Sequence, residues 1–162
     1  MRIIGLDPGT RITGYGLVDS EGSRLSLVQA GTFPAPRGAP LEERLASISG
    51  QLREVLDEWQ PEIAAVEDVF VKINPRAALS LGHARGALMS VLGDRGLAVA
   101  SLAPASVKRA VAGNGRAGKE QVARMVGAIL GTSQEFALDA TDALAVAIAR
   151  ALSARAQLLT DG

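Results

Sequence analysis

The 162-residue chain has no cysteine and a single histidine. Disulfides, thiolate metal centres and a cysteine nucleophile are therefore excluded, which fits a reducing compartment. Aromatic residues make up only 3% of the chain, against 48% hydrophobic overall. A core must then be built from Ala, Val, Ile and Leu. No apolar run approaches the ~20 residues that a membrane-spanning helix needs, and no basic-then-apolar leader opens the chain. A soluble cytoplasmic protein without a membrane partner is expected. The formal net charge is zero, so overall charge gives no pull toward a polyanion.

The charge is nonetheless unevenly spread. Residues 71–133 carry nine Lys or Arg against two acids, a net of +7, and the remainder is −7. Such asymmetry suggests a polyanion-facing surface beside an acidic region. The alternative is a scatter of solvated helix faces. The length suits one domain with a real core. Residues 1–152 are expected to form it, and 153–162, which lack a clear pattern, to be a flexible tail.

Ile3, Ile4 and Leu6 form a short apolar run that ends in Asp7-Pro8-Gly9, a strand followed by a turn. Residues 14–18 and 25–28 read as a hairpin closed by Ser20-Glu21-Gly22-Ser23. Pro34, Pro36, Gly38 and Pro40 mark a loop. Leu41, Leu45, Ile48, Leu52, Val55, Leu56 and Trp59 recur at helical spacing. Ile63 to Val66 is a second buried strand, again closed by acids, Glu67 and Asp68. A helix between two such strands implies a crossover. If they are parallel neighbours, Asp7 and Glu67 come to one edge, where open α/β sheets place their ligands.

Asn74-Pro75 opens a helix rich in small residues, suited to packing on the sheet or on a second chain. His83, within it, is expected to be packed rather than a ligand. A strand over 97–102, a helix over 105–112, a glycine loop (Gly113, Gly115, Gly118), another helix, and a last helix over 138–152 complete the order. The expected fold is a mixed five-stranded α/β sheet with helices on both faces.

Asp139 and Asp142 lie three apart on the last helix, within about 60° of each other on its face. Their neighbours are almost all apolar or small. Paired carboxylates in such surroundings repel and need a cation or a proton between them. Asp7, Glu67, Asp139 and Asp142 are all hard oxygen ligands, which favours Mg²⁺ or Mn²⁺ over zinc. Four carboxylates suffice for two ions, about 3.5–4 Å apart in two-metal phosphoryl-transfer sites. Asp68 should point the other way. The run Gly113 to Lys119 matches the start of a phosphate-loop pattern, but its eighth position is Glu120 and a helix precedes it. No nucleotide cofactor is expected there.

Four stretches together resemble the RuvC family of Holliday-junction resolvases: GLDPGTRITGYG, AVEDVFVKINPRAALSLGHARG, SVKRAVAGNGRAGKEQV and DATDALAVAIA. The resemblance implies a ribonuclease H-like fold and a homodimer. It implies a metal-dependent endonuclease, a hydrolase of recombination and repair that nicks two opposed strands of four-way junction DNA. Functional coupling to the RuvA–RuvB branch-migration complex is implied too. Carried over, Asp7, Glu67, Asp139 and Asp142 match the four catalytic acids. Some relatives have His at the position of Asp142. Phe70 matches an aromatic that engages bases near the junction centre. Lys108 and Lys119 match basic residues at or near the scissile phosphate, Lys119 within the catalytic set. Lys72 and Arg76 lie close to Phe70 and join the expected DNA-binding residues. The family's second chain packs against the helix after Asn74.

Three other readings compete. Asp7-Pro8-Gly9-Thr10 also resembles the phosphate loop of actin-like and sugar-kinase ATPases, which need two such domains. A non-catalytic junction binder would gain affinity by losing acids near phosphate. A ribonuclease H-like nuclease with another substrate differs only in what it cuts.

Overall fold

The computed structural model describes residues 1–69 and 74–160. Its sheet has five strands: β1 (Arg2–Asp7), β2 (Ile12–Glu21), β3 (Arg24–Pro34), β4 (Ile63–Glu67) and β5 (Ala98–Leu102). Its helices are α1 (Leu41–Trp59), α2 (Pro75–Asp94), α3 (Pro104–Ala112), α4 (Lys119–Leu130) and α5 (Leu138–Thr160). The spatial order is β3-β2-β1-β4-β5. The meander β1-β2-β3 is antiparallel, and β1-β4 and β4-β5 are parallel. The mixed sheet expected from the sequence is the one observed, and α1 makes the crossover.

Side chains alternate across a strand, so each strand feeds two cores. Ile4, Leu6, Leu17, Ala64 and Val66 pack with α1 and α2 on one face. Ile3, Val18 and Ala65 pack with α3, α4 and α5 on the other. The tightest approach is between α5 and the meander. A side chain on Gly5 would run into Ala143 and Ala147, one on Gly14 into Asp139, and one on Gly16 into Leu144. These strand glycines form a trough that seats the α5 backbone. That seating, with α3 and α4 outside it, buries α5 on nearly all sides from Ala143 to Ala149. The acid-bearing face is thus confined to the start of the helix, at Asp139 and Asp142.

Other differences have local causes. The hairpin strands are longer than their apolar centres, because paired residues carry the ladder outward through Ile12↔Pro34 and Glu21↔Arg24. Pro34 accordingly ends β3 instead of opening a loop. The last helix passes Leu152 and reaches Thr160, since no Gly or Pro interrupts 153–160. His83 is exposed. α2 buries one face, Ala84, Leu88, Val91 and Leu92, and His83 falls outside it. Asn74 caps α2 by accepting from the N–H groups of Arg76 and Ala77.

Candidate active site

The alternation that builds the two cores also aims the acids. Asp7 shares the parity of Ile3 and Gly5, and Glu67 that of Ala65, so both project toward the α5 face. The β1-β4 register pairs Gly5 with Ala65 and Leu6 with Val66, which leaves Asp7 and Glu67 side by side at the strand ends. Gly14 is the β2 partner of Asp7 and lies under the Asp139 backbone. The first turn of α5 is thereby set over Asp7, and Asp142 follows one turn on. The sheet edge and the helix start bring all four acids together.

Their electrostatics follow from burial. Burial pushes the Asp7 carboxyl up to about 8, with further upward pressure from Glu67, Asp142 and Asp139. The Asp7 and Glu67 carboxyls interact directly, so the pair favours holding one proton between them. Burial also raises Glu67 and Asp142, and Lys119 and Lys108 work against the rise in both. The Lys119 ammonium is 3.6 Å from Asp142 Oδ2.

A cavity of about 200 Å³ opens here, lined by Glu67, Lys108, Lys119 and Asp142 together with Pro104 and Val107. Lys108 stands on α3, and Pro104 at the first turn of that helix fixes its start. Gly113, in the left-handed region (φ 74°), ends α3. Gly118 then precedes α4, so Lys119 is its first residue. The glycine loop therefore follows a helix, which removes the nucleotide-loop reading.

Arg76 is exposed on the first turn of α2. Phe70 and Lys72 lie outside the described residues. Asp68 is exposed and pairs with Arg85 at 3.6 Å. Arg85 also donates to Ser101 Oγ at 2.5 Å. Arg95 pairs with Asp57. Two cations of the basic middle segment thus pair with acids outside it. Sequence reading missed Gly14 and Thr13. Thr13 is fully buried. Its hydroxyl donates to Gly9 O at 2.9 Å and accepts from Gly9 N at 3.2 Å, which locks the turn after Asp7. The available signal was a strand opening Ile-Thr-Gly, with a glycine where a backbone must approach.

Among the described residues, no three acid or imidazole side chains already surround one point as a metal cage. The donor set nevertheless suits a divalent cation. It is all hard oxygen, and burial and mutual repulsion raise the part-buried carboxylates although Lys108 and Lys119 offset part of their charge.

The family model for crossover junction endodeoxyribonuclease RuvC matches residues 3–150. The RuvC of Azorhizobium caulinodans is 48% identical over 151 residues, which is 93% of this chain and 89% of the relative. That of Halorhodospira halophila is 50% identical over 150 residues, with the same shares. The solved structure of T. thermophilus RuvC in complex with Holliday junction substrate superposes with a TM-score of 0.90 at 34% identity, covering 97% of this chain and 96% of that one. The fold is ribonuclease H-like.

Proposed function

The chain belongs to the RuvC family of crossover junction endodeoxyribonucleases, and we propose on that footing that it resolves four-way junction DNA by paired nicks in two opposed strands. The observation that carries the reading is the meeting of Asp7, Glu67, Asp139 and Asp142 at one sheet edge, beside Lys108 and Lys119. An acid cluster that only bound DNA would repel phosphate. One that hydrolyses a phosphodiester needs it.

Family membership implies dependence on a divalent metal. Mg²⁺ or Mn²⁺ suits the donors, and two ions held by Asp7, Glu67, Asp139 and Asp142 match their number. Bound there, the ions would lower the pKa of the attacking water and stabilise charge on the leaving oxygen. The protein's own groups do the rest. Lys108 and Lys119 attract the scissile phosphate and offset its charge. The trough under α5 holds Asp139 and Asp142 against the strand-borne acids, so the constellation is set before substrate arrives. Phe70, Lys72 and Arg76 would grip the junction centre, Phe70 by stacking on bases.

Two cuts need two sites. A C2 homodimer places identical sites on strands related by the junction's own two-fold. The outward face of α2 supports this assembly. Leu79 is 64% exposed, and Gly82, Gly86 and Gly93, on the same stripe, have nothing within 4 Å of a would-be side chain. Coupling to RuvA–RuvB rests on the family alone. Residues 1–152 would act as the single nuclease unit. Among the described residues no helix is long and apolar enough to cross a membrane.

The test is cleavage of an immobile four-way junction, with linear duplex and RNA–DNA hybrid as controls, in Mg²⁺, Mn²⁺ or chelator. Paired, ligatable nicks confined to the junction and dependent on metal are expected. Binding without cutting in any metal would make the protein a junction-binding module. Cutting of the hybrid instead would keep the chemistry and change the substrate.

A further inference from the structure

Arg11, Arg37 and Arg44 line a cavity of about 670 Å³, and no acid lines it with them. The local chain ties its walls together. Ile12 pairs with Pro34 across β2 and β3, and Ala35 N donates to Arg11 O at 2.8 Å. The turn after Asp7 and the loop after β3 are thereby stitched together. Arg44, in the first turns of α1, reaches back to this seam. Its Nη1 lies 3.4 Å from both Thr10 O and Thr10 Oγ1. Its Nε is buried and has no hydrogen-bond partner. Arg11 and Arg37 are exposed, and among the described residues neither side chain makes a hydrogen bond or an ion pair. The acids nearest in sequence to Arg37 and Arg44, Glu42 and Glu43, are exposed and do not line the cavity.

Three unneutralised guanidiniums around one cavity repel one another unless an anion joins them. A guanidinium offers paired donors matched to phosphate oxygens. Ile12, 43% exposed, and Pro34 give the cavity an apolar side, which suits the sugar of a nucleotide chain better than a free ion. Its place in the fold selects the ligand. β1 ends, β2 begins and β3 ends at the same edge of the sheet, and β3 is two strands from β1. Asp7 is level with Gly14 on β2, and the cavity begins two residues further out at Ile12 and Pro34. Arg11 is in the same turn as Asp7. The acids face α5 and Arg44 rises from α1 on the other face, so a DNA strand that reached both would have to cross the sheet edge at this seam.

We propose that the Arg11–Arg37–Arg44 cavity is a second phosphate subsite, which holds a backbone phosphodiester of the junction strand flanking the cut. This rests on the junction-cleaving reading above. The subsite fixes register and affinity and takes no part in bond breaking. Its loss raises KM and leaves the rate at saturating substrate near wild type.

The test uses the full chain and a four-way junction in chelator, with Kd measured between 50 and 200 mM salt. The variants are the double Arg11→Ala/Arg37→Ala and, as a control for net charge, Arg53→Ala, which is exposed on α1. The slope of log K against log salt should become shallower by about 0.9 for each phosphate that the double variant no longer neutralises. Arg53→Ala should match wild type. Methylphosphonates placed singly along the flanking strand should reveal one position that weakens wild-type binding and leaves the double variant unchanged. A double variant with the slope of Arg53→Ala, or equal sensitivity to every methylphosphonate in both proteins, overturns the subsite alone. A wild type that neither binds nor cuts the junction overturns the function reading, and the subsite with it.

Discussion

Lys119 Nζ lies 3.6 Å from Asp142 Oδ2, with the lysine two-thirds exposed (66%) and the aspartate largely covered (28%). Burial pushes the Asp142 carboxyl up, and Lys119 is the first influence opposing it. Replacing Lys119 by Met removes that opposition, so Asp142 ionises at higher pH. Single-turnover cleavage should slow, and the rising limb of its pH profile should move upward. The salt slope of binding should flatten by about 0.9, the share of one neutralised phosphate. Lys119→Arg should restore the limb. An unmoved limb and an unchanged salt slope would reduce Lys119 to a bystander.

Asp7 gives a stability signature that needs no substrate. Its carboxyl is raised from 3.8 to about 8 by burial and neighbouring acids. The folded state therefore holds a proton that the unfolded chain has released, and stability falls as pH rises from about 4 to 8. Chemical denaturation in chelator should show this decline. Asp7→Asn should remove most of it and abolish cleavage while leaving junction binding intact. Added Mg²⁺ or Mn²⁺ should stabilise wild type most at the alkaline end. A stability curve flat between pH 5 and 8, unaltered by Asp7→Asn, would sink the picture of Asp7 as a buried, proton-holding acid.

The strands that carry Asp7 and Glu67 were legible because each is an apolar run closed by an acid. Period-two alternation then decides which face each acid takes. The first turn of α5 was legible from two acids three residues apart among small residues. What periodicity did not show is how α5 is held. Its seating depends on atoms that are missing from Gly5, Gly14 and Gly16, and an absence leaves no hydrophobic pattern. His83 misled for a related reason. A helix of small residues has little contrast between its faces, so the exposed stripe of α2 looked like core. The pairing of Arg85 and Arg95 with Asp68 and Asp57 was not legible, because it joins residues distant in the chain.

The trough makes a separate prediction. A methyl group at position 14 meets the Asp139 carbonyl, which is backbone and cannot rotate away. Gly14→Ala must shift α5 or strand β2. It should cost about 1–3 kcal/mol in stability and lower cleavage far more than binding, since it moves Asp139 relative to Asp7. Gly50→Ala is the matched control. Gly50 lies within α1 with nothing near a would-be side chain, and alanine there should stabilise by about 0.5–1 kcal/mol. Paired urea denaturation and cleavage assays decide it. Wild-type cleavage by Gly14→Ala would mean that α5 placement tolerates the displacement.

The stripe on α2 is where paired cutting and assembly meet. Leu79 is an aliphatic side chain left 64% exposed, outside the face formed by Ala84, Leu88, Val91 and Leu92. A second α2 approaching across Gly82 and Gly86 would cover it. Leu79→Asp adds a charge to that surface and, across a two-fold, sets it against its own copy. Sedimentation should show the wild type as a dimer and Leu79→Asp as a monomer with an unchanged far-ultraviolet spectrum. The monomer keeps all four acids, so its chemistry survives. What it loses is simultaneity. Junctions should be nicked in one strand and persist as nicked intermediates, in place of two strands cut within one binding event. A Leu79→Asp protein that remains dimeric, or a monomer that still produces paired nicks in a single encounter, would remove this face of α2 from the assembly.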